Sequence, residues 1–280
     1  MKELEKLGLG SVQFGIKYGI SNTSSKTSEG EVSKILQYAS KIGITCLDTA
    51  SAYGNAEEVL GNFNLSEFRV ITKFMPPEKE GSIEEEFEKS QNRLNLSTIE
   101  GYLAHRPSYL IENKSAWKNL QDLKAKGKIN KIGFSLNHPF EVKQLLSLNM
   151  IPDLVQVPYN FLDNRFKASM INLKEKNCEI HTRSTFLQGL FFMNSSKLSS
   201  HFDTVKKTIS NLQERHQDNL SGALLKFVLE QDFVDKVIMG VENLKQLKQN
   251  IESIRYADTM DKIDIQIEEK VLSPSLWPKN

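Results

Sequence analysis

Four ionisable residues of different types follow the ends of short apolar runs in this sequence. Asp48 ends the run formed by residues 44–48, and Tyr53 lies in the polar loop that comes next. Lys73 ends the following apolar run, and His105 comes directly after the one beyond it. A carboxylate, a phenol, an ammonium and an imidazole at successive run ends suggest a reaction site that moves protons.

The chemistry that suits this set is proton transfer to a carbonyl oxygen. A phenol, whose ordinary pKa is about 10, is a weak acid at neutral pH. An ammonium beside a phenol favours the phenolate, and a carboxylate can hold that ammonium in place. An imidazole can donate a hydrogen bond that orients the carbonyl and stabilises developing negative charge. No side chain supplies hydride, so a nicotinamide cofactor would have to supply it.

Each of the four residues also has a simpler structural interpretation. Asp48 could cap the loop that follows it, and Lys73 could be a surface charge at a strand end. Tyr53 could pack within its loop, and His105 could be a hydrogen-bonded core histidine. Nothing structural requires all four at neighbouring strand ends, which favours a shared site over four separate roles.

Apolar runs alternate with helical patterns along the whole chain. The predicted strands are residues 7–12, 44–48, 70–73, 99–103, 131–135, 154–157, 179–183 and 236–239. Such alternation predicts parallel strands joined by helical crossovers, and eight units in 280 residues fit one (β/α)8 TIM barrel. No linker or shift of composition suggests a second domain, so a single domain over residues 1–280 is expected.

A doubly wound open sheet is the alternative architecture. Its GxGxxG fingerprint would follow the first strand, and Gly8 and Gly10 begin that pattern, but Gln13 occupies the third glycine position. The barrel is therefore favoured, and its active face is the carboxyl end of the strands. Residues 184–202 are expected to form the longest irregular segment, and the tail after Asp258 shows no clear partner.

Composition and charge exclude several classes of function. Thirty-six basic and 35 acidic residues give a net charge of +1, which offers no argument for binding nucleic acid or an acidic membrane surface. Cys46 and Cys178 follow no metal or redox spacing and are expected to be buried free thiols in a reducing compartment. No signal core or membrane-spanning run is present. We expect a cytoplasmic protein with no metal site, and the sequence leaves the oligomeric state open.

From about residue 7 to residue 250 the sequence resembles the aldo-keto reductase family. The segment LDTASAYGNAEEVLG, which contains Asp48 and Tyr53, is similar to the DTAxxYGN(S)E signature of the family's second strand. The segments 72–73 (TK) and 104–107 (AHRP) fall where the family's lysine and histidine belong.

The resemblance implies a role for each of the four ionisable residues. Tyr53 would be the general acid, Lys73 and Asp48 the pair that tunes it, and His105 the group that orients the substrate. The family binds NAD(P)H first and transfers hydride to an aldehyde or ketone, so the expected partner is a small-molecule carbonyl compound.

The resemblance also implies a set of cofactor contacts. The expected cofactor-binding residues are Ser11, Ser135, Gln156, Arg183, Ser184, Gly240, Glu242 and Asn250. Ser135 and Gln156 would contact the nicotinamide carboxamide. Arg183, at a position where the family commonly has an aromatic residue, would stack on the ring, since a guanidinium stacks on flat groups. Ser11 could equally be a plain strand-end hydroxyl, and Arg183 could form a structural salt bridge.

The segment IMGVENLKQLKQN corresponds to the family's adenosine-phosphate site. Members that prefer NADP usually carry basic residues where this chain has Gly240 or Val241, with Glu242 beside them, and Gln246. A carboxylate suits a free ribose hydroxyl and repels a 2′-phosphate. Lys245 and Lys248 could compensate, so the expectation is NAD(H) or dual use rather than strict NADP(H).

Phe14 and Tyr18 are expected to line the substrate pocket. The sequence shows no long C-terminal loop of the kind that many family members fold over the substrate, so we expect an open pocket suited to a bulky polar carbonyl compound such as a sugar. One alternative is a nicotinamide-binding barrel that acts as a sensor or partner subunit with little turnover. Another is an isomerase or aldolase that uses Lys73 as a Schiff base, but Asp48 would keep the lysine protonated.

Overall fold

Eight parallel strands close into a barrel in sequence order in the computed structural model, and the last strand pairs with the first. The structure describes residues 2–22, 25–79, 81–261 and 266–278. The strands are β1 Leu7–Gly10, β2 Cys46–Asp48, β3 Arg69–Phe74, β4 Ile99–Ala104, β5 Ile129–Ser135, β6 Leu154–Pro158, β7 Glu179–Arg183 and β8 Lys236–Gly240. The single (β/α)8 barrel predicted from the sequence is confirmed. The predicted domain limits, 1 and 280, lie outside the described residues.

Helices connect the strands. The α-helices of the described part are α1 Lys2–Glu5, α2 Val12–Gly15, α3 Glu29–Lys41, α4 Ala56–Gly61, α5 Ile83–Leu94, α6 Ser108–Glu112, α7 Lys114–Ala125, α8 Pro139–Ser147, α9 Lys167–Glu175, α10 Asp203–His216, α11 Leu220–Leu229, α12 Leu244–Tyr256 and α13 Glu269–Leu272. The predicted helical faces are buried as expected: α3, for example, buries Val32, Ile35, Leu36 and Ala39. None of the described helices has the length and apolar character that a bilayer crossing requires.

The first strand is shorter than predicted. β1 ends at Gly10 because the chain turns at Ser11, where the Phe14 amide donates to the Ser11 carbonyl at 2.9 Å and α2 begins. Residues 7–12 therefore form a strand followed by a helical turn. This turn, α2, packs against the loop that carries Tyr53.

Two C-terminal features differ from the sequence prediction. The polar segment before α11 carries no predicted element, yet it forms α10, whose buried stripe is narrow and consists of Val205, Ile209, Leu212 and His216. The tail, predicted to lack a partner, packs on the barrel: Val271 is fully buried, and the Trp277 ring meets the Phe202 ring edge-on at 5.1 Å. The few apolar residues of each segment are too widely spaced to give a clear periodic signal.

The barrel interior has an apolar layer below a polar one. The lower luminal layer is a cluster of Cys46, Ile71, Leu103, Leu154 and Ile238. Side chains two positions apart on a strand share a face. Each of the first four residues of this cluster is followed, two positions later, by a polar residue on the same face. These polar residues form an upper luminal layer of Asp48, Lys73, His105 and Gln156. Period-two alternation thus places the predicted reactive residues at the barrel mouth.

Candidate active site

Lys73 lies at the centre of the upper luminal layer. Its ammonium donates to Asp48 Oδ2 at 2.7 Å, to the Thr49 carbonyl at 2.9 Å and to the Tyr53 hydroxyl at 3.5 Å. Its side chain is fully buried. Burial disfavours the charge, but the Asp48 carboxylate and the Tyr53 phenol outweigh burial and raise the pKa of Lys73 above its ordinary value. Lys73 is therefore a charged group with all three N–H bonds directed at neighbours.

Tyr53 lies between Lys73 and His105 at the mouth. The Lys73 Nζ lies 5.1 Å from the Tyr53 ring centroid, and the His105 ring meets the Tyr53 ring edge-on with centroids 5.8 Å apart. The backbone behind Tyr53 is closely packed: a Cβ at Gly15 of α2 would lie 1.7 Å from the Tyr53 carbonyl oxygen. Only glycine fits at position 15, and this close approach fixes where the phenol projects.

His105 is a neutral imidazole over the physiological pH range. Burial, followed by the positive charges of Lys73, Arg183 and Arg106, lowers its pKa from 6.5 to about 3. Its Nδ1 is buried and has no hydrogen-bond partner among the described residues. A neutral imidazole has one N–H donor and one acceptor nitrogen, so it can orient a carbonyl without adding charge.

Gln156 links the two sides of the barrel. Its amide Nε2 donates to Asp48 Oδ1 at 2.7 Å, while Lys73 holds the other oxygen of the same carboxylate. Asp48 and Gln156 are both buried. The sequence predicts Gln156 only as a cofactor contact, and the structure adds that it fixes the orientation of Asp48. In the sequence, both residues lie two positions after an apolar residue of the lower luminal layer. This spacing indicates that both face the lumen, but not that they contact each other.

Glu57 is a buried carboxylate that the sequence analysis does not single out. It is only 1% exposed, and it accepts from Thr72 Oγ1 at 2.5 Å and from Arg93 Nε at 2.7 Å. Glu57 belongs to α4, directly after the Tyr53 loop, and Thr72 precedes Lys73 on β3. The carboxylate therefore ties the element that follows Tyr53 to the strand that carries Lys73. Its position in the signature, four residues after Tyr53, was the available signal.

The Glu57→Gln variant is expected to lose about 1–3 kcal/mol of unfolding free energy, because Arg93 loses its ionic partner and one amide group cannot accept both hydrogen bonds equally well. Denaturant unfolding measures this loss. Glu58→Gln is the matched control, since Glu58 is the next residue of the same helix and is exposed. Equal stability of the two variants would show that the buried network does not stabilise the fold.

Several predicted cofactor residues present unsatisfied oxygens at the mouth. Ser11 and Gln156 are fully buried, and neither Ser11 Oγ nor Gln156 Oε1 has a hydrogen-bond partner within the described ranges. Ser135 is also buried, at the end of β5. Buried polar groups in folded proteins nearly always have a hydrogen-bond partner, so an oxygen without one is free to accept from a bound group. The residues therefore fit the amide and hydroxyl groups of a nicotinamide cofactor.

Arg183 and Ser184 lie where β7 leads into its loop. The Arg183 guanidinium donates to the Leu136 carbonyl at 3.0 Å, to Asn137 Oδ1 at 2.7 Å and to Ser184 Oγ at 3.3 Å. It forms no ion pair with the carboxylates of the described part. The guanidinium is thus held by neutral groups of the described part, and the expected contact of Arg183 with the cofactor stays a prediction. Ser184 has a positive φ of 64°, and its carbonyl accepts from Asn160 at 3.0 Å, which fixes the start of the loop.

Phe14 and Tyr18 have different positions. Phe14 has no exposed surface and belongs to the hydrophobic core, so its predicted place in a pocket lining is wrong. The reason is that α2 turns its apolar face inward. Tyr18 is 37% exposed, and its hydroxyl accepts from Gln188 Nε2 at 3.0 Å. Desolvation of the phenol, followed by the nearby Tyr53, raises the pKa of Tyr18. Tyr18 thus lies close to the mouth, against the loop after β7.

The remaining predicted residues, Gly240, Glu242 and Asn250, lie between the end of β8 and the middle of α12. The Glu242 amide donates to Gln246 Oε1 at 2.8 Å, and the Glu242 carbonyl accepts from Thr27 Oγ1 at 2.9 Å. Asn250 is largely buried, and its amide nitrogen lies 3.3 Å from Met239 Sδ. Gly240 lies against Gln13, whose amide nitrogen would be 2.8 Å from a Cβ at that position.

A second carboxylate, absent from the sequence prediction, lies at the same helix start. Glu31 of α3 accepts from the Leu244 amide at 2.8 Å through Oε1. This hydrogen bond, followed by the one from Lys34, lowers the pKa of Glu31. Glu31 of α3 therefore brings a carboxylate to the start of α12, and Glu242 belongs to the segment just before this helix.

Comparisons with known proteins give the same family that the arrangement of these side chains suggests. The sequence model of the Aldo/keto reductase family matches residues 6–269. The oxidoreductase YqkF of Bacillus subtilis is 24% identical over 279 residues, covering 90% of this chain and 87% of YqkF. Probable aldo-keto reductase 1 of Glycine max is 25% identical, covering 89% of this chain and 80% of that protein.

A solved structure extends the comparison to the fold. The aldo-keto reductase AKR11C1 from Bacillus halodurans, in its holo form, superposes with a TM-score of 0.72 at 22% identity, covering 91% of this chain and 88% of that one. The family match spans nearly the whole barrel, and the likeness of fold is equally extensive. The chain therefore belongs to the aldo-keto reductase family, whose members are oxidoreductases that act on carbonyl groups and generally use nicotinamide cofactors.

Proposed function

We propose that this protein reduces an aldehyde or ketone to an alcohol with NAD(P)H, with Tyr53 as the general acid. The observation that carries the proposal is the meeting of Tyr53, the charged Lys73 and the neutral His105 at one rim of the barrel. A bound dihydronicotinamide would supply the hydride. Tyr53 would give its hydroxyl proton to the carbonyl oxygen as that oxygen gains negative charge.

The other residues of the upper luminal layer would prepare Tyr53 for this proton transfer. Lys73 lies on the side of the phenol away from solvent, so its positive charge would stabilise the phenolate that remains. Asp48 holds Lys73 and is itself held by Gln156. His105 would donate a hydrogen bond to the carbonyl oxygen and aim it at the Tyr53 hydroxyl. Preorganised groups of this kind need little rearrangement during the reaction.

The residues expected to hold the cofactor divide into two groups. Ser11, Ser135, Gln156 and Ser184 would hold the nicotinamide and pyrophosphate end, and Gly240, Glu242 and Asn250 would hold the adenosine end. The unsatisfied buried oxygens of Ser11 and Gln156 support the first group.

The alternatives gain no support from the site. A Schiff-base lysine must lose its proton, whereas Lys73 is fully buried against Asp48 and its pKa is raised. A sensor with little turnover would not need an intact set of proton-transfer groups. Carbonyl reduction is the function that uses every group of the upper luminal layer.

For the cofactor we propose NAD(H) or dual use rather than strict NADP(H). Glu31 places its carboxylate at the start of α12, and Glu242 lies in the segment just before this helix. Carboxylates at this site would repel a 2′-phosphate. Lys245 and Lys248 are exposed, and the Lys248 ammonium lies over the Tyr38 ring, 5.3 Å from its centroid. Lys248 is therefore already engaged by an aromatic face.

Fluorescence titration with NADH and NADPH tests the proposal. We expect NADH to bind at least as tightly as NADPH, and Glu242→Lys to strengthen NADPH binding relative to NADH by about fivefold or more, as a charge reversal near a phosphate implies. Glu252→Lys, on an exposed position of the same helix, makes the same change of net charge and should leave the ratio as it is. Much tighter binding of NADPH by the unmodified protein would contradict the assignment.

A further inference from the structure

Arg183 belongs to the luminal face of the barrel. Side chains along β7 point alternately to the lumen and to the helices, and the luminal ones are residues 179, 181 and 183. His181 pairs with Gln156 of the neighbouring strand β6. Gln156 reaches Asp48 across the lumen. Because side chains two apart share a face, Arg183 projects from the same side as these residues, one step closer to the mouth.

The guanidinium is held in place and retains free donors. Nη2 is used by the Leu136 carbonyl and Asn137 Oδ1, and Nη1 makes one long hydrogen bond of 3.3 Å to Ser184. No described residue engages Nε or the second Nη1 hydrogen. All its partners are neutral, so a fixed cation with unused donors faces the mouth. Planar guanidinium groups of this kind recognise carboxylates and phosphates.

The charge at the mouth is unbalanced. Lys73 is neutralised by Asp48 at 2.7 Å, whereas neither Arg183 nor Arg106 has an acidic partner within the described residues. Burial lowers the pKa of His105 most, and the charges of Lys73, Arg183 and Arg106 lower it further, so the field of both arginines reaches the imidazole. The two arginines therefore give this rim a positive charge that no described carboxylate offsets, and such a charge attracts ligands of the opposite sign.

We propose that the carbonyl substrate carries a carboxylate or a phosphate, which Arg183 binds while Tyr53 and His105 face the carbonyl oxygen. The inference rests on the proposed carbonyl reduction and departs from the expectation that Arg183 stacks on the nicotinamide. An unbalanced guanidinium is a poor stacking partner for a ring that gains positive charge when it gives up hydride. An anionic substrate group would balance that charge.

Paired aldehydes test the inference and separate the two anions. The carboxylate pair is 4-carboxybenzaldehyde and neutral 4-formylbenzamide, and the phosphate pair is glyceraldehyde 3-phosphate and glyceraldehyde. We expect kcat/KM to favour the anionic member of at least one pair by about tenfold to hundredfold, the range of a charge-assisted hydrogen bond. Arg183→Gln should remove that preference, and Arg183→Lys should restore part of it.

Control variants and a binding measurement complete the experiment. Arg255→Gln, at an exposed position of α12, makes the same change of net charge and should keep the preference. Calorimetry with 4-(hydroxymethyl)benzoate and its neutral amide, in the presence of oxidised cofactor, should show the same dependence on Arg183 without turnover. Equal kinetics for the anionic and neutral members of both pairs, together with equal binding of the benzoate and its amide, would overturn the inference. So would an Arg183→Gln variant whose loss of NADH affinity matches its loss of substrate preference.

Failure of the proposed function gives a different result. In that case neither aldehyde of either pair would oxidise NADH or NADPH, with or without Arg183. The calorimetric comparison would still decide whether Arg183 binds an anionic ligand at the mouth.

Discussion

Replacing Tyr53 by Phe is expected to lower kcat for carbonyl reduction by about 10²–10⁴-fold, the usual contribution of a positioned general acid. The variant keeps the ring, which packs edge-on against His105 at 5.8 Å, and loses only the hydroxyl that receives the Lys73 hydrogen bond. NADH oxidation with an aldehyde, followed by absorbance, measures the loss. Cofactor affinity should change little, because the expected cofactor contacts are other residues.

The matched control removes a hydroxyl from a tyrosine outside the site. Tyr256 at the end of α12 is 69% exposed, so Tyr256→Phe should keep the full rate. Turnover of the Tyr53→Phe variant at the rate of the control would remove Tyr53 as the acid. A water-mediated or His105-mediated proton transfer would then have to be considered.

Replacing Lys73 by Met is expected to cost about 3–5 kcal/mol of unfolding free energy, in addition to lowering the rate. Lys73 is fully buried and Asp48 is 2% exposed, so the variant leaves a carboxylate inside the barrel with Gln156 as its remaining polar side-chain partner. Denaturant unfolding should show the loss as a lower midpoint. The Asp48→Asn/Lys73→Met double variant should regain part of the stability, because it removes the unpaired charge.

An exposed ion pair supplies the comparison. Lys89 and Glu86 are 2.7 Å apart on α5, but the Lys89 side chain is 57% exposed. Lys89→Met should therefore leave the unfolding midpoint nearly unchanged. If Lys73→Met is no less stable than Lys89→Met, then the buried pair does not stabilise the barrel, and the charge assigned to Lys73 in the mechanism would also need revision.

The barrel and the meeting of Asp48, Tyr53, Lys73 and His105 at its mouth were predictable from the sequence because two strong periodic signals agree. Apolar runs of four to six residues alternate with helical patterns, which specifies parallel strands and crossovers. Asp48 and Lys73 then end successive runs, and His105 follows the next. The carboxyl ends of parallel strands meet at one edge, so this placement alone predicts their convergence.

Contacts that depend on side-chain direction could not be predicted in the same way. The sequence identifies Gln156 as a strand residue but does not show that its amide reaches Asp48 on the opposite side of the lumen. The sequence does not show that α2 turns the Phe14 side chain into the hydrophobic core rather than toward a pocket. Glu57 was overlooked because a carboxylate early in a helix is normally a solvated charge.

The two C-terminal differences have a related cause. Helix α10 buries only one narrow stripe of side chains against the protein. Most of its residues are therefore polar, and its sequence resembles that of a loop. The tail is attached by single large residues, among them Trp277 against Phe202. Isolated contacts of this kind are made by tertiary packing and leave no periodic trace in the sequence.

The connection between Gln156 and Asp48 has a consequence for how the protein is made. Asp48, Tyr53, Lys73 and His105 all precede β5 in the chain, but the amide that orients Asp48 comes from β6, and the ring closes only when β8 meets β1. A nascent chain therefore contains every reactive group long before those groups can be arranged. Contacts between residues far apart in sequence form slowly during folding. The arranged site is therefore expected only once the final strand has joined the barrel.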